Sequence, residues 1–373
     1  MLRIAVSSCY NCLGHLHAGP NEPYPGQQLT NPETAMPSAA PSALEFACRM
    51  PKAELHVHIE GTLEPQLAFA LARRNGITLP YADEDALRAA YHFADLQSFL
   101  DLYYSCASVL RTADDFTDLM LAYLKRAKAD QVVHTEIFFD PQTHTARGVP
   151  MGTVIEGLIA GIKEGRLRLG ISAKLILCFL RHLSEGEAFD TLTEAEPFLD
   201  YIDGFGLDSS ERGHPPKKFA SVFEKCRALG KPVVAHAGEE GPPCYITEAL
   251  DILKACRIDH GVRAVEDSAL LERLVREQVP LTVCPLSNVR LCVYPDMRTH
   301  SLPQLLAAGA MVTINSDDPA YFGGYMNDNI RAVQAAFCLD EQTWRRVGRN
   351  SIEASWASTE EKAVWLAQLD PVG

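Results

Sequence analysis

The sequence predicts an α/β fold: a (β/α)8 TIM-type barrel with a helical insertion between strands 1 and 2 and extra C-terminal helices. Three observations carry this reading. From about residue 50, eight short β-branched runs alternate with amphipathic stretches. No Gly-rich phosphate loop follows the first run, which weighs against an open dinucleotide-binding sheet. Histidines and carboxylates gather at the C-terminal ends of the runs, where such barrels place their chemistry.

The first run covers 53–60. Leu55, Val57 and Ile59 alternate with His56, His58 and Glu60. A strand repeats every two residues, so both histidines share one face and can grip one metal ion. An H-x-H pair in a half-buried strand fits the same spacing, and the rest of the chain decides between them. The other runs cover 132–140, 171–180, 203–209, 231–238, 257–262, 280–285 and 311–316. Helical periodicity occupies 65–75, 150–165, 185–201, 216–230, 247–256, 267–278 and 302–308, then 327–337 and 341–357.

The insertion, 81–130, reads as helices 84–91, 96–110 and 113–129. It starts at the catalytic end and is placed to act as a lid. Leu96, Phe99, Leu100 and Tyr103 fall at i, i+3, i+4 and i+7. That stripe is either core packing or an apolar wall over a flat ring.

Residues 1–43 are rich in Pro, Gly, Ser, Asn and Ala, without period. They read as a disordered leader with neither a signal nor a transit pattern, ahead of a single domain over 44–373. With 47 % hydrophobic residues in 373, the chain can bury a large core. No apolar run approaches the roughly 18–20 residues that span a membrane. A net charge of −14 argues against a nucleic-acid partner. Eleven scattered cysteines suit reduced thiols in a cytoplasmic enzyme, and Cys9 and Cys12 form a lone C-x-x-C best read as chance. Monomer and homodimer both fit this composition.

The strand ends carry the chemistry. His56 and His58 close the first, His236 the fifth, His260 the sixth and Asp317 the eighth. His56, His58, His236 and Asp317 would hold one ion and leave a position for water. Nitrogen and oxygen donors suit zinc, and Fe, Co or Mn accept the same set. Such an ion can bring the pKa of its water to around 7. Glu239, three residues past a ligand, is placed as a general acid, and His260 to take or steer the water proton. Asp318, beside a ligand, is placed to hold substrate. His134 and Glu136 form an H-x-E, but no P-C-x-x-C follows, so both read as barrel-strand residues. His144 and His214 read as loop or rim residues. Arg181 and His182 close the third strand, and Ser287 and Asn288 would support the site from behind.

Five segments, PKAELHVHIEGTLEP, VVAHAGEEG, IDHGVRAVED, LTVCPLSN and INSDDPAYFGGY, occur in this order. With them, the chain from about residue 50 to 358 resembles the adenosine/adenine deaminase family of the amidohydrolase superfamily. The resemblance implies a barrel with one zinc on His56, His58, His236 and Asp317. It implies Glu239 as proton donor to the purine ring, His260 as the group orienting the water, and Asp318 as a partner of a ring nitrogen. Adenosine-type members carry Asp where this chain has Glu60, and Gly-Asp-Glu where it has Ser209, Ser210 and Glu211. The longer Glu60 would reach into the space a sugar needs or close on a bare ring nitrogen, which makes it a substrate-binding candidate beside Asp318. GTLEP and SDDPAYFGGY resemble the adenine branch. The expectation is therefore zinc-dependent deamination of free adenine to hypoxanthine in purine salvage. Adenosine, another 6-aminopurine, a cyclic amide, or non-catalytic purine binding are the alternatives.

Overall fold

The computed structural model describes residues 42–93 and 96–370, the side chain of Gln97 excepted. The expected leader lies outside these residues, except that Ser42 caps a first helix, Ala43–Arg49. Cys9 and Cys12 also lie outside them.

Eight strands form, all pairing in parallel: β1 (Lys52–His58), β2 (Val132–Phe139), β3 (Ser172–Leu180), β4 (Gly204–Asp208), β5 (Val234–Ala237), β6 (Arg257–His260), β7 (Leu281–Val283) and β8 (Val312–Ile314). Ladders run β1-β2-β3-β4 and β5-β6-β7-β8. Two parallel bridges join them into a ring, Val57 to Asp317 and Phe205 to Val233. The β1–β8 seam is finished by side chains. Asn315 Oδ1 accepts from the Leu55 N–H at 2.8 Å, and Glu54 accepts from the N–H and hydroxyl of Ser316. The strands are buried almost throughout, as in a sheet covered on both faces.

Each sequence-predicted helix has a counterpart, with local differences. The 247–256 stretch is an α-turn, Pro243–Glu248, running into one π-turn, Ala249–Leu253, which Lys254 ends at φ 58°. The 341–357 helix stops at Ala354, because Ser355 turns extended. Ser358 then opens a helix the periodicity did not show, Thr359–Leu369, through a capping box with Glu361.

The insertion is anchored by glycines. In the helix Met151–Leu169, Gly157, Gly161 and Gly165 fall four residues apart on one face. A Cβ on Gly157 would stand 2.3 Å from the Ala113 carbonyl oxygen, and one on Gly161 would stand 2.6 Å from Met120 Cβ. The bare face lets the insertion helix Ala113–Ala129 pack close. This fixes the preceding helix, Leu96–Ala107, over the C-terminal mouth, where Phe99 packs on Phe322 at 4.6 Å between ring centres.

His134 and Glu136 sit inside the barrel wall. Arg257 Nη1 donates to Glu136 Oε2 at 2.5 Å, His134 Nε2 lies 3.2 Å from Oε1, and the Trp356 N–H donates to the same oxygen. Burial pushes Glu136 up, but Arg257 and His134 outweigh it and hold its pKa at about 2.

Two predictions follow from this packing. Gly157→Ala forces a backbone atom aside and lowers the free energy of unfolding by about 1–3 kcal/mol, read by urea denaturation. An unchanged midpoint would contradict the close approach. The depressed Glu136 pKa adds stability that is fully present above its ordinary 4.5 and fades as pH falls toward 2. Glu136→Gln therefore destabilises the protein at neutral pH and flattens the acid limb of a stability–pH curve; an unaltered limb would show the pair is inert.

Candidate active site

Two backbone hydrogen bonds set the geometry. The His58 N–H donates to the Asp317 carbonyl at 3.0 Å, and the Asp317 N–H donates to the His56 carbonyl at 3.1 Å. The residue that crosses from β8 to β1 thus lies between the two histidines. Asp317 adopts φ 65° and His260 φ 63°, left-handed values that cost a non-glycine residue about 1–2 kcal/mol. Strain of this kind concentrates where a side chain must be aimed.

His56 Nε2 lies 3.2 Å from Asp317 Oδ1. His58 Nε2 lies 3.2 Å from His236 Nε2 and 3.5 Å from Asp317 Oδ1. One ligand atom from each of these four buried residues lies within 4.8 Å of all the others. The far ring nitrogens face oxygen. His56 Nδ1 is 2.9 Å from Thr282 Oγ1, whose hydroxyl donates to Asp259 Oδ1 at 2.9 Å. His236 Nδ1 stands 3.8 Å from Asp259 Oδ2, and His58 Nδ1 stands 3.5 Å from Asp208 Oδ2. Thr282 accepts from His56 Nδ1 and leaves its Nε2 bare, while Asp208 and Asp259 face the other two rings without a hydrogen bond. Burial holds His236 well below the usual histidine range, helped by His56, and burial lowers His58 as well. Burial alone would raise Asp317, but His56, His260 and His58 outweigh it and hold it well below the carboxylate range. Bare imidazole nitrogens converging on an ionised carboxylate fit a divalent cation.

Glu239 and His260 stand beside this point. His260 Nε2 is 3.5 Å from Glu239 Oε2 and 3.8 Å from Asp317 Oδ2. Asn288 Nδ2 reaches both Glu239 Oε1 and His260 Nδ1 at 3.3 Å, and Asn288 Oδ1 faces His300 Nε2 at 3.1 Å. With Nδ1 accepting from Asn288, His260 carries its proton on Nε2, toward the site. Burial pushes Glu239 well above the carboxyl range, with Asp317 and Glu211 adding to the shift, which favours the form that carries a proton. Its turn rests on Glu211, whose carboxylate accepts from the N–H groups of Gly238, Glu239, Glu240 and Gly241 at 2.6–3.0 Å. Arg181 Nη1 donates to the His236 carbonyl at 2.6 Å and Arg181 Nε to the His214 carbonyl at 2.9 Å.

Asp318 lines the cavity, and its Oδ1 is buried without a hydrogen-bond partner. A Cβ on Gly61 would lie 1.9 Å from that oxygen, so only glycine fits after Glu60. Leu96, Phe99, Leu100 and Tyr103 line the cavity from the insertion helix, which makes the stripe a wall of the site.

Glu60 lies behind that wall. Its Oε1 is 2.7 Å from His144 Nε2 and accepts the Asp140 N–H at 3.3 Å; its Oε2 accepts from the Tyr103 hydroxyl at 3.3 Å. Glu60 therefore reaches the cavity through Tyr103 and Asp140. His144 corrects the loop reading: it is fully buried in a short helix, Pro141–Thr145, between Glu60 and Arg147 Nη2 at 2.6 Å. Proline at the first helical position starts a helix too short for periodicity to show. The sequence reading assigned no role in the site to Asp140, Asp208 or Asp259. Each is a carboxylate at or next to a strand end, and that position was the available signal.

The family model described as Adenosine deaminase matches residues 51–372. An "Adenine deaminase" of Cupriavidus necator is 61% identical over 322 residues, covering 86% of this chain and 92% of that protein. One from Trichlorobacter lovleyi is 59% identical over 344 residues, covering 92% and 97%. Among solved structures, the adenine deaminase of Arthrobacter aurescens superposes with a TM-score of 0.85 at 51% identity, covering 86% of this chain and 98% of that one. A zinc-bound amidohydrolase from Burkholderia ambifaria gives 0.81 at 26% identity, covering 91% and 94%. With the barrel and its ring of strand-end histidines and carboxylates, these matches establish that the chain belongs to the adenosine deaminase family, within the amidohydrolase superfamily.

Proposed function

We propose that the chain is an adenine deaminase, hydrolysing adenine to hypoxanthine and ammonia with one zinc ion. The observation that carries this is the convergence of His56, His58, His236 and Asp317 beneath a cavity whose other polar groups include a protonated Glu239 and an unpartnered Asp318. The adenine deaminases at about 60% identity support the substrate. The zinc-bound neighbour supports the metal, and Fe, Co or Mn would accept the same donors.

When bound, the ion supplies Lewis-acid activation of the attacking water. The chain does the rest. Asp318, raised well above the usual carboxyl range by burial and by Asp317, donates to the bare nitrogen of the five-membered ring and sets the purine's orientation. Glu239 donates its proton to the ring nitrogen beside the amine-bearing carbon. That breaks the ring's conjugation and makes the carbon electrophilic. His260 Nε2–H steers the water oxygen toward that carbon. As the water adds, the proton it sheds passes to the Glu239 carboxylate; Glu239 delivers it to the amine, the C–N bond breaks as the new hydroxyl returns its proton to Glu239, and ammonia leaves. Water in and ammonia out balance the reaction. Leu96, Phe99 and Leu100 close an apolar cover over the ring and exclude bulk solvent. Glu60 supports the sugar-free pocket by holding Tyr103 and Asp140.

The setting is cytoplasmic purine salvage. All nine cysteines among the described residues are free, which suits a reducing compartment. No described helix is long and apolar enough to cross a membrane.

Two outcomes test this reading. On purified zinc-loaded protein, kcat/KM for adenine exceeds that for adenosine by at least about 100-fold, read by ammonia release. Faster turnover of the nucleoside would overturn the base assignment. Among variants, Asp317→Asn and His236→Ala lose bound metal and activity together. Glu239→Gln keeps its metal by elemental analysis while kcat falls by about 10²–10⁴. Loss of metal from Glu239→Gln would make it a structural group rather than the proton donor.

A further inference from the structure

Two buried carboxylates in the cavity touch no reacting atom in the scheme above. Asp140 follows β2 and Asp208 ends β4; they are 4% and 1% exposed, and both line the cavity. Carboxylate oxygens of the two and a ring nitrogen of His58 lie within 4.8 Å of one another. Among the described residues, neither Asp140 Oδ1 nor Asp208 Oδ1 receives a hydrogen bond. Leaving such an oxygen buried and unmet costs about 1–3 kcal/mol, more when it is charged.

Asp140 is firmly held. Its Oδ2 accepts from the Tyr103 hydroxyl at 3.2 Å, and its backbone N–H is fixed by Glu60. Glu60 is in turn backed by His144 and Arg147. Asp208 Oδ2 stands 3.5 Å from His58 Nδ1 without a hydrogen bond, and the Asp140 and Asp208 carboxyls are close enough to share a proton, which leaves acceptor lone pairs of the pair unmet at the cavity.

The barrel order says which part of a substrate meets this pair. Glu239 and His260 come from the β5 and β6 ends, and Asp318 from the β8 end. Asp140 and Asp208 come from β2 and β4, across the mouth. A 6-aminopurine with its amine-bearing carbon at the ligand cluster and the neighbouring ring nitrogen at Glu239 turns its opposite edge toward β2 and β4. That edge carries the N9–H of a free base. In a nucleoside the same nitrogen carries a sugar and has no hydrogen to give.

We propose that Asp140 and Asp208 form the subsite that accepts the N9–H of the free base, and that this acceptor pair selects adenine over N9-substituted purines. The proposal rests on the adenine reading above and assigns its specificity to two named oxygens. Space alone would distinguish substrates weakly, whereas a buried acceptor left without its donor discriminates strongly.

The test compares adenine with its isostere in which a ring oxygen replaces N9–H. That probe keeps the size and removes only the donor. The wild type prefers adenine in kcat/KM by about 10²–10³-fold. In Asp140→Ala and Asp208→Ala the preference falls to within about tenfold, and for adenine the loss appears in KM more than in kcat. Asp140→Asn, which keeps an acceptor oxygen, retains much of the preference. Elemental analysis of each protein shows whether the metal is kept, and ratios are read on metal-replete Asp140 variants first, since Asp208 also backs His58. A preference unchanged in metal-replete Asp140→Ala would sink the subsite. So would a wild type that turns over both ring systems equally well. A wild type that releases ammonia from neither compound would instead overturn the adenine reading itself.

Discussion

Everything in this molecule depends on one short exchange of backbone hydrogen bonds, between Asp317 and the two histidines of β1. β1 and β8 do not form a regular ladder. A single bridge, the Asn315 amide and the Glu54 carboxylate close the gap. Closing the ring therefore also places His56, His58 and Asp317 around one point. Barrel closure and ligand assembly are the same event, and the left-handed backbone of Asp317 is a local cost of combining them.

The electrostatics follow from that arrangement. Burial lowers the pKa of His58 and His236, and the rings turn Nε2 inward with Thr282, Asp208 and Asp259 on the outward side. Carboxyl groups are crowded round the cavity, and burial with mutual repulsion raises the pKa of Glu239, Asp318, Asp208 and Asp140. In the proposed reaction Glu239 uses that effect, because a carboxyl raised well above its ordinary range can give its proton to a weakly basic ring nitrogen. Asp317 goes the other way, because imidazoles surround it.

Much of this was legible in the sequence, and the physical reasons differ by residue. A period of two put His56 and His58 on one face, and the strand-end rule picked out His236, His260 and Asp317. The lid stripe from Leu96 to Tyr103 showed as helical spacing, and the cavity explains why it is apolar. Glu60 was read as touching substrate, but a 3-10 turn after β1 carries it behind Tyr103 and Asp140. His144 was read as a loop residue, because a five-residue helix leaves no period to see. Asp140 and Asp208 were passed over since a single aspartate at a strand end is unremarkable until its unmet oxygen is seen facing a cavity.

Glu211 has a wider implication. It belongs to the segment after β4, yet it ties down the turn that carries Glu239 after β5. Among the described residues the strand pairing between β4 and β5 is one bridge, Phe205 to Val233, so near the mouth the Glu211 carboxylate helps do what a ladder does elsewhere. Loops on such barrels are often treated as interchangeable modules. Here the fourth and fifth are one module, and a chimera that grafts either alone would import a turn without its anchor.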